Sequence, residues 1–161
     1  MTLEETCDAV RDFLDENELR YEYHADRQCL NMGFSLDCKL KSLNMFIQFR
    51  DDGFLLYGIC PINADPNNLG EVLKYTSMIN YGLVPGNFEV DIRDGEIRSK
   101  TWTRTLEAKE LSGETINASL ALTFTLFEQF GNGFAALAMG FSDAETEYKK
   151  VVRAYEEPEE E

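Results

Sequence analysis

Reactive side chains are scarce in this chain, and those present are scattered. It has one histidine, His24, one tryptophan, Trp102, and four cysteines, Cys7, Cys29, Cys38 and Cys60, with no C-x-x-C pair among them. Zinc sites draw on closely spaced Cys and His, so neither a metal nor another cofactor is expected. G-x-S-x-G, a P-loop, H-E-x-x-H and the Rossmann glycine pattern are all missing, which removes the common signposts of hydrolase, nucleotide and dinucleotide chemistry. No run reaches the roughly 18 apolar residues that a membrane helix needs, and no basic segment precedes an apolar one at the start. A cytoplasmic protein with no membrane partner is the expectation. Basic residues are few as well, 15 Lys and Arg against 30 Asp and Glu, for a net charge of -15. Such a balance opposes approach to phosphate backbones. Nucleic acid is therefore not an expected partner, and a basic or amphipathic protein is favoured.

What remains is enough for a packed domain. A chain of 161 residues, 43% of them hydrophobic, can bury a core without staples. One domain is expected over 1–155, followed by a disordered, solvated acidic tail at 156–161, EEPEEE. Thr2-Leu3-Glu4-Glu5 is a capping box, and the helix it starts, to about Asn17, carries Leu3, Cys7, Val10, Phe13 and Leu14 in one stripe. Because Cys7 lies in that stripe, the thiols are expected to be reduced and partly buried.

A short strand at Tyr21 to His24 precedes Cys29 to Asp37, where Leu30, Met32, Phe34 and Leu36 alternate with Asn31, Gly33, Ser35 and Asp37, the pattern of a half-buried strand. His24 has no nucleophile or carboxylate placed beside it by any motif, so it reads as structural. Leu43 to Arg50 and Phe54 to Cys60 form a hairpin around Asp51-Asp52-Gly53, a three-residue loop with glycine at the left-handed position. That register pairs Phe49 with Leu55, Ile47 with Tyr57 and Met45 with Ile59 on the core side. Its other side carries Phe46, Phe54 and Leu56 beside Asn44, Gln48 and Arg50. A sheet face in water should read polar there, which makes Phe46, Phe54 and Leu56 a candidate protein interface, with cover by the chain's own helix as the alternative.

Asp65-Pro66 predicts a helix start and Gly82 a left-handed helix end, with Leu69, Val72, Leu73, Thr76 and Ile79 at helical spacing. The next hairpin turns at Asp94-Gly95. Its register sets Arg93 against Glu96, Asp91 against Arg98 and Glu89 against Lys100, with Phe88, Val90, Ile92 and Ile97 buried. Arg98, Lys100, Trp102 and Arg104 resemble a basic, aromatic ligand strand. Two of these cations already face carboxylates, however, so the strand reads as a solvated sheet face, with Trp102 and Arg104 left as a candidate ligand patch. From Thr115 a single long helix is expected, its phase surviving Gly131-Asn132-Gly133, where a close packing partner or a flexible break would explain the glycines. Ser142-Asp143-Ala144-Glu145 reads as a capping box for a last helix.

The segments MINYGLVPGNFEVDIRDGEIRSKTW (Met78 to Trp102) and FAALAMGFSDAE (Phe134 to Glu145), with this order of elements, resemble the YbjN family of bacterial sensory-transduction regulators. The resemblance rests on Asn80 near the helix end, Gly86-Asn87-Phe88 opening the hairpin, and the Asp94-Gly95 turn. It implies an α+β fold, a twisted antiparallel sheet with flanking helices in the order α-β-β-β-α-β-β-α with one more helix appended, as in type III secretion chaperones. It also implies a homodimer and no catalytic residues. The expected function is then a non-catalytic protein-binding or regulatory module, chaperone-like, in bacterial signalling or secretion. A small-molecule-binding domain, or an enzyme using scattered carboxylates, is the alternative.

Overall fold

The computed structural model describes residues 1–156, with Tyr155 and Glu156 described only as helical backbone. Apart from Glu156, the expected acidic tail at 156–161 lies outside the described residues. The elements run α1 (Leu3–Glu16), β1 (Glu22–His24), β2 (Cys29–Ser35), β3 (Ser42–Arg50), β4 (Gly53–Ile59), α2 (Leu69–Gly82), β5 (Asn87–Val90), β6 (Ile97–Arg104), α3 (Gly113–Ala138) and α4 (Ala144–Glu156). The six strands form an antiparallel sheet in the order β1-β2-β3-β4-β6-β5. The fold is therefore α+β as expected. Its four strands before α2 are those read from the alternation, β1 included, where the order implied by the resemblance counts three.

Alternation assigns the two sheet faces. Leu30, Ile47, Leu56 and Thr101 lie in one cross-strand row, all buried, and α1 and α3 pack on that side. α3 comes so close to β4 that a Cβ on Gly58 would lie 2.7 Å from both Phe127 and Thr123. At the β5 end Phe88 meets Phe127 edge-on at 5.3 Å and Phe134 at 4.8 Å. Tyr75 of α2 meets Phe134 edge-to-face at 5.0 Å and donates its hydroxyl hydrogen bond to the Phe130 carbonyl at 3.3 Å. α4 packs outside this layer against α2 and α3.

The two glycines in the middle of α3, Gly131 and Gly133, have packing partners. A Cβ on Gly131 would lie 2.9 Å from Cys38 Sγ and Leu40, and one on Gly133 would overlap the Tyr75 phenol. α3 is accordingly one continuous helix of 26 residues. At the sheet edge Asn80 accepts from the Phe88 N–H and donates to its carbonyl, both at 2.8 Å. An amide side chain thus stands where a neighbouring strand would pair.

Helix boundaries differ from the expected ones in three places. Asp65 caps a turn, accepting from the N–H of Asn67 at 2.8 Å, and α2 begins only at Leu69. Gly82 is helical, and the left-handed glycine is Gly86, at φ +72. Asp143, rather than Ser142, caps α4 through the Thr146 N–H at 2.9 Å, and Glu71 of α2 accepts from the Ala144 N–H at 2.7 Å.

Candidate functional site

The β3–β4 hairpin decides what the sheet presents to solvent. Arg50 is paired with Gly53, so Phe49 faces Phe54, Ile47 faces Leu56 and Met45 faces Gly58. This is one residue away from the expected register, and a one-residue slip exchanges the faces of a strand. Phe54 and Leu56, expected at an interface, are core residues at 1% and 0% exposure. The cause is Gly53. It serves no three-residue turn but sits in the ladder between Arg50 and Arg104, where a Cβ would run into the Thr103 carbonyl of β6.

The slip brings Leu55, Tyr57 and Ile59 to the open face, beside Phe46. All four are half-buried. Phe46 and Tyr57 are cross-strand partners with ring centroids 6.3 Å apart. Leu55 faces Trp102, which is 43% exposed and lies against Gly53. An apolar track therefore runs along β4, flanked by Phe46 on β3 and Trp102 on β6. Among the described residues no helix packs on this side: Thr103, neighbour of Trp102 in the chain, points the other way to Ser119 of α3, 3.1 Å distant.

β6 lines the track with cations. Arg98 stands opposite Ile59, Lys100 opposite Tyr57, and Arg104 opposite Gly53, with Arg50 on the other side of that glycine. The Arg98 guanidinium lies 4.5 Å from the centre of the Tyr57 ring, a cation–π contact. Glu89 serves two of these cations, accepting from Arg98 at 2.9 Å and also from Lys100. Burial alone would raise the Glu89 carboxyl, but the hydrogen bonds from Lys100 and Arg98 outweigh it and hold the group below its ordinary range. Among the described residues no carboxylate is within ion-pair distance of Arg50 or Arg104.

The β5–β6 hairpin also differs from its expected register. Val90 pairs with Ile97 and Glu89 with Arg98, so residues 91–96 make a longer loop. The Gly95 N–H bonds the Asp91 carbonyl at 2.7 Å, and the Gly95 carbonyl accepts from Ala64 at 2.9 Å. Asp91 turns back to Arg93 instead of reaching Arg98, which lowers its carboxyl to about 2. Ile92, expected in the core, is 68% exposed. The change is two residues, so the faces are kept and Arg98, Lys100, Trp102 and Arg104 stay on the open side as expected.

Other candidate residues lie apart from this face or at its edge. His24 Nε2 is 3.8 Å from Glu22 and 3.4 Å from Asn31, at the far strand β1. The four cysteines are buried free thiols. Sequence reasoning missed Leu55, Tyr57 and Ile59. The signal for them was the spacing Leu55-x-Tyr57-x-Ile59, readable only once Gly53 is assigned to the strand.

No curated protein matches the chain. A solved structure, YbjN from E. coli, described as "a putative transcription regulator", aligns at a TM-score of 0.57 and 12% identity, covering 74% of this chain and 83% of that one. At that identity the likeness is one of fold. The family model named YbjN, "Putative bacterial sensory transduction regulator", matches residues 6–136, most of the sequence, and the chain belongs to the YbjN family.

Proposed function

We propose that this protein is a non-catalytic regulatory module that works by binding another polypeptide on the open face of its sheet. The observation that carries this reading is the half-buried apolar track of Leu55, Tyr57 and Ile59 with Phe46, on the sheet face opposite α1 and α3. Apolar surface gathered on one side of a sheet marks contact sites, and an aromatic pair with a tryptophan beside it is the composition such sites favour. A cytoplasmic, chaperone-like role is in keeping with membership of a regulator family. The homodimer is a variant of the same reading, a second copy being one polypeptide that could cover the face.

The small-molecule alternative would draw on surface hollows, among them an apolar one of about 360 Å³ between Lys39, Ile62, Ala135, Met139 and Phe141 and one of about 500 Å³ between Pro85, Gly86, Trp102, Glu114 and Leu122. Both are shallow and open to solvent, whereas small-molecule sites enclose most of their ligand's surface. The deciding experiment isolates partners from the native organism on the wild-type chain and on Tyr57→Ser and Phe46→Ser variants shown to be folded. The reading expects a partner held by the wild type and released by both variants. Retention by both variants would remove the face from the mechanism.

A further inference from the structure

The charge of the open face is opposite in sign to that of the chain. The sequence as a whole carries -15, the ground on which a basic or amphipathic partner is expected. Yet the residues bordering the apolar track are Arg98, Lys100 and Arg104 on β6 and Arg50 on β3. Glu89 is the carboxylate that meets this row closely, shared by Arg98 and Lys100, while Glu96 stands 3.9 Å from Arg98. The row thus has more cations than carboxylates to neutralise them. At physiological ionic strength the Debye length is about 8 Å, so a segment lying on this face responds to these cations before it responds to acidic groups further off, with Asp51 and Asp52 of the adjoining turn acting at the Arg50 end.

We infer that the partner segment is an extended stretch in which carboxylates alternate with apolar side chains. The inference rests on the reading of the open face as the binding surface and names the chemistry of its occupant. Positions 98, 100, 102 and 104 recur along β6 every second residue, about 6.8 Å apart at the rise of an antiparallel strand, and carry cations at all but Trp102. Side chains on one edge of an extended segment repeat at the same distance. Carboxylates on that edge reach Arg98, Lys100 and Arg104 while the apolar side chains on the other edge rest on Ile59, Tyr57 and Leu55. Arg50 and Arg104, on either side of Gly53, receive a further carboxylate at the end of the track. Two other occupants fit less well. A second copy laid face to face brings one cation row near another. A nucleic acid strand matches the cations and Trp102, but it leaves Leu55 and Ile59 without apolar partners.

The test is a selection of displayed random dodecapeptides against the full chain, repeated with an Arg50→Glu/Arg104→Glu double variant and, should that variant fail to fold, with Lys100→Gln. The expected wild-type pool is enriched in Glu and Asp alternating with apolar residues. A synthetic peptide from that pool should bind at least tenfold more tightly than its Glu→Gln and Asp→Asn counterpart, shift Trp102 emission to the blue, and lose that tenfold advantage in the double variant or part of it in Lys100→Gln. A pool with no sign preference, or enriched in Lys and Arg, overturns the inference; the reading of the face survives provided Tyr57→Ser still abolishes binding. If the selected peptides bind Tyr57→Ser as well as wild type, the face itself is the wrong site. Tighter binding of a dT12 oligonucleotide than of the selected peptide, or a dimer that must dissociate before peptide binds, also overturns the acidic segment.

Discussion

Leu55 and Leu56 are chemically identical neighbours, and the β3–β4 register gives them opposite roles. Leu56 is wholly buried between Ile47 and Thr101, its cross-strand partners, themselves at 0% and 8% exposure. With α3 pressed onto the same strand at Gly58, the surroundings have little freedom to collapse into a space left by truncation. Leu56→Ala should therefore cost about 3–5 kcal/mol, in the upper part of the range for buried leucines. Leu55 faces Trp102 on the open side and is half-buried. Leu55→Ala should cost less than about 1 kcal/mol, the usual scale for a partly exposed side chain, and should weaken partner binding instead. Urea unfolding of the two variants, followed by circular dichroism, measures both numbers. Equal losses, or a larger loss for Leu55→Ala, would refute the register and with it the identity of the open-face track.

Gly133→Ala gains about 1 kcal/mol of helix propensity but drives a methyl group into the Tyr75 phenol, so it should lower stability by about 1–3 kcal/mol net. Gly70→Ala, with nothing within 4 Å, should stabilise α2, and the two urea midpoints should move in opposite directions. All four thiols should resist Ellman's reagent at pH 8 in the native protein and react on denaturation, since all are buried and burial pushes Cys60 up to about 11; rapid reaction of any one of them would contradict the packing. The Glu89 carboxyl is held below its ordinary range in the fold, so its stabilising effect is complete above the unfolded value of about 4.3 and is lost as pH falls through the folded value. Glu89→Gln should then destabilise at pH 7 and approach wild type at pH 3, whereas an equal deficit at both would argue against the Arg98 and Lys100 pairing.

Periodicity carried most of the fold. The stripe on α1, the alternation in β2 and the unbroken phase of α3 each follow from one dominant apolar pattern, and each element formed where that pattern predicts it. Glycine was the weak point, because the same letter serves a turn and a close approach. Gly53 and Gly95 read as turn residues. Gly53 instead makes room for the Thr103 carbonyl, and Gly95 packs against the Ala64 backbone while also holding φ +78. Neither constraint is local in sequence, so both hairpin registers were misjudged. The consequences differed in kind: a shift of two residues moved Ile92 and the charge pairs but kept the faces, whereas a shift of one exchanged Phe54 and Leu56 for Leu55, Tyr57 and Ile59. Net charge misled for a similar reason. It sums over the whole chain, and the distribution that matters here is set by which residues β6 turns outward.

Trp102 is the chain's one tryptophan and lines the open face, so its emission reports on that surface without a label. The most direct measurement follows this emission while a partner protein isolated on the wild-type chain is added. The account predicts a saturable blue shift, lost in Tyr57→Ser at a urea midpoint near that of wild type. Emission that stays unchanged while anisotropy of a labelled partner shows the complex filling would contradict it.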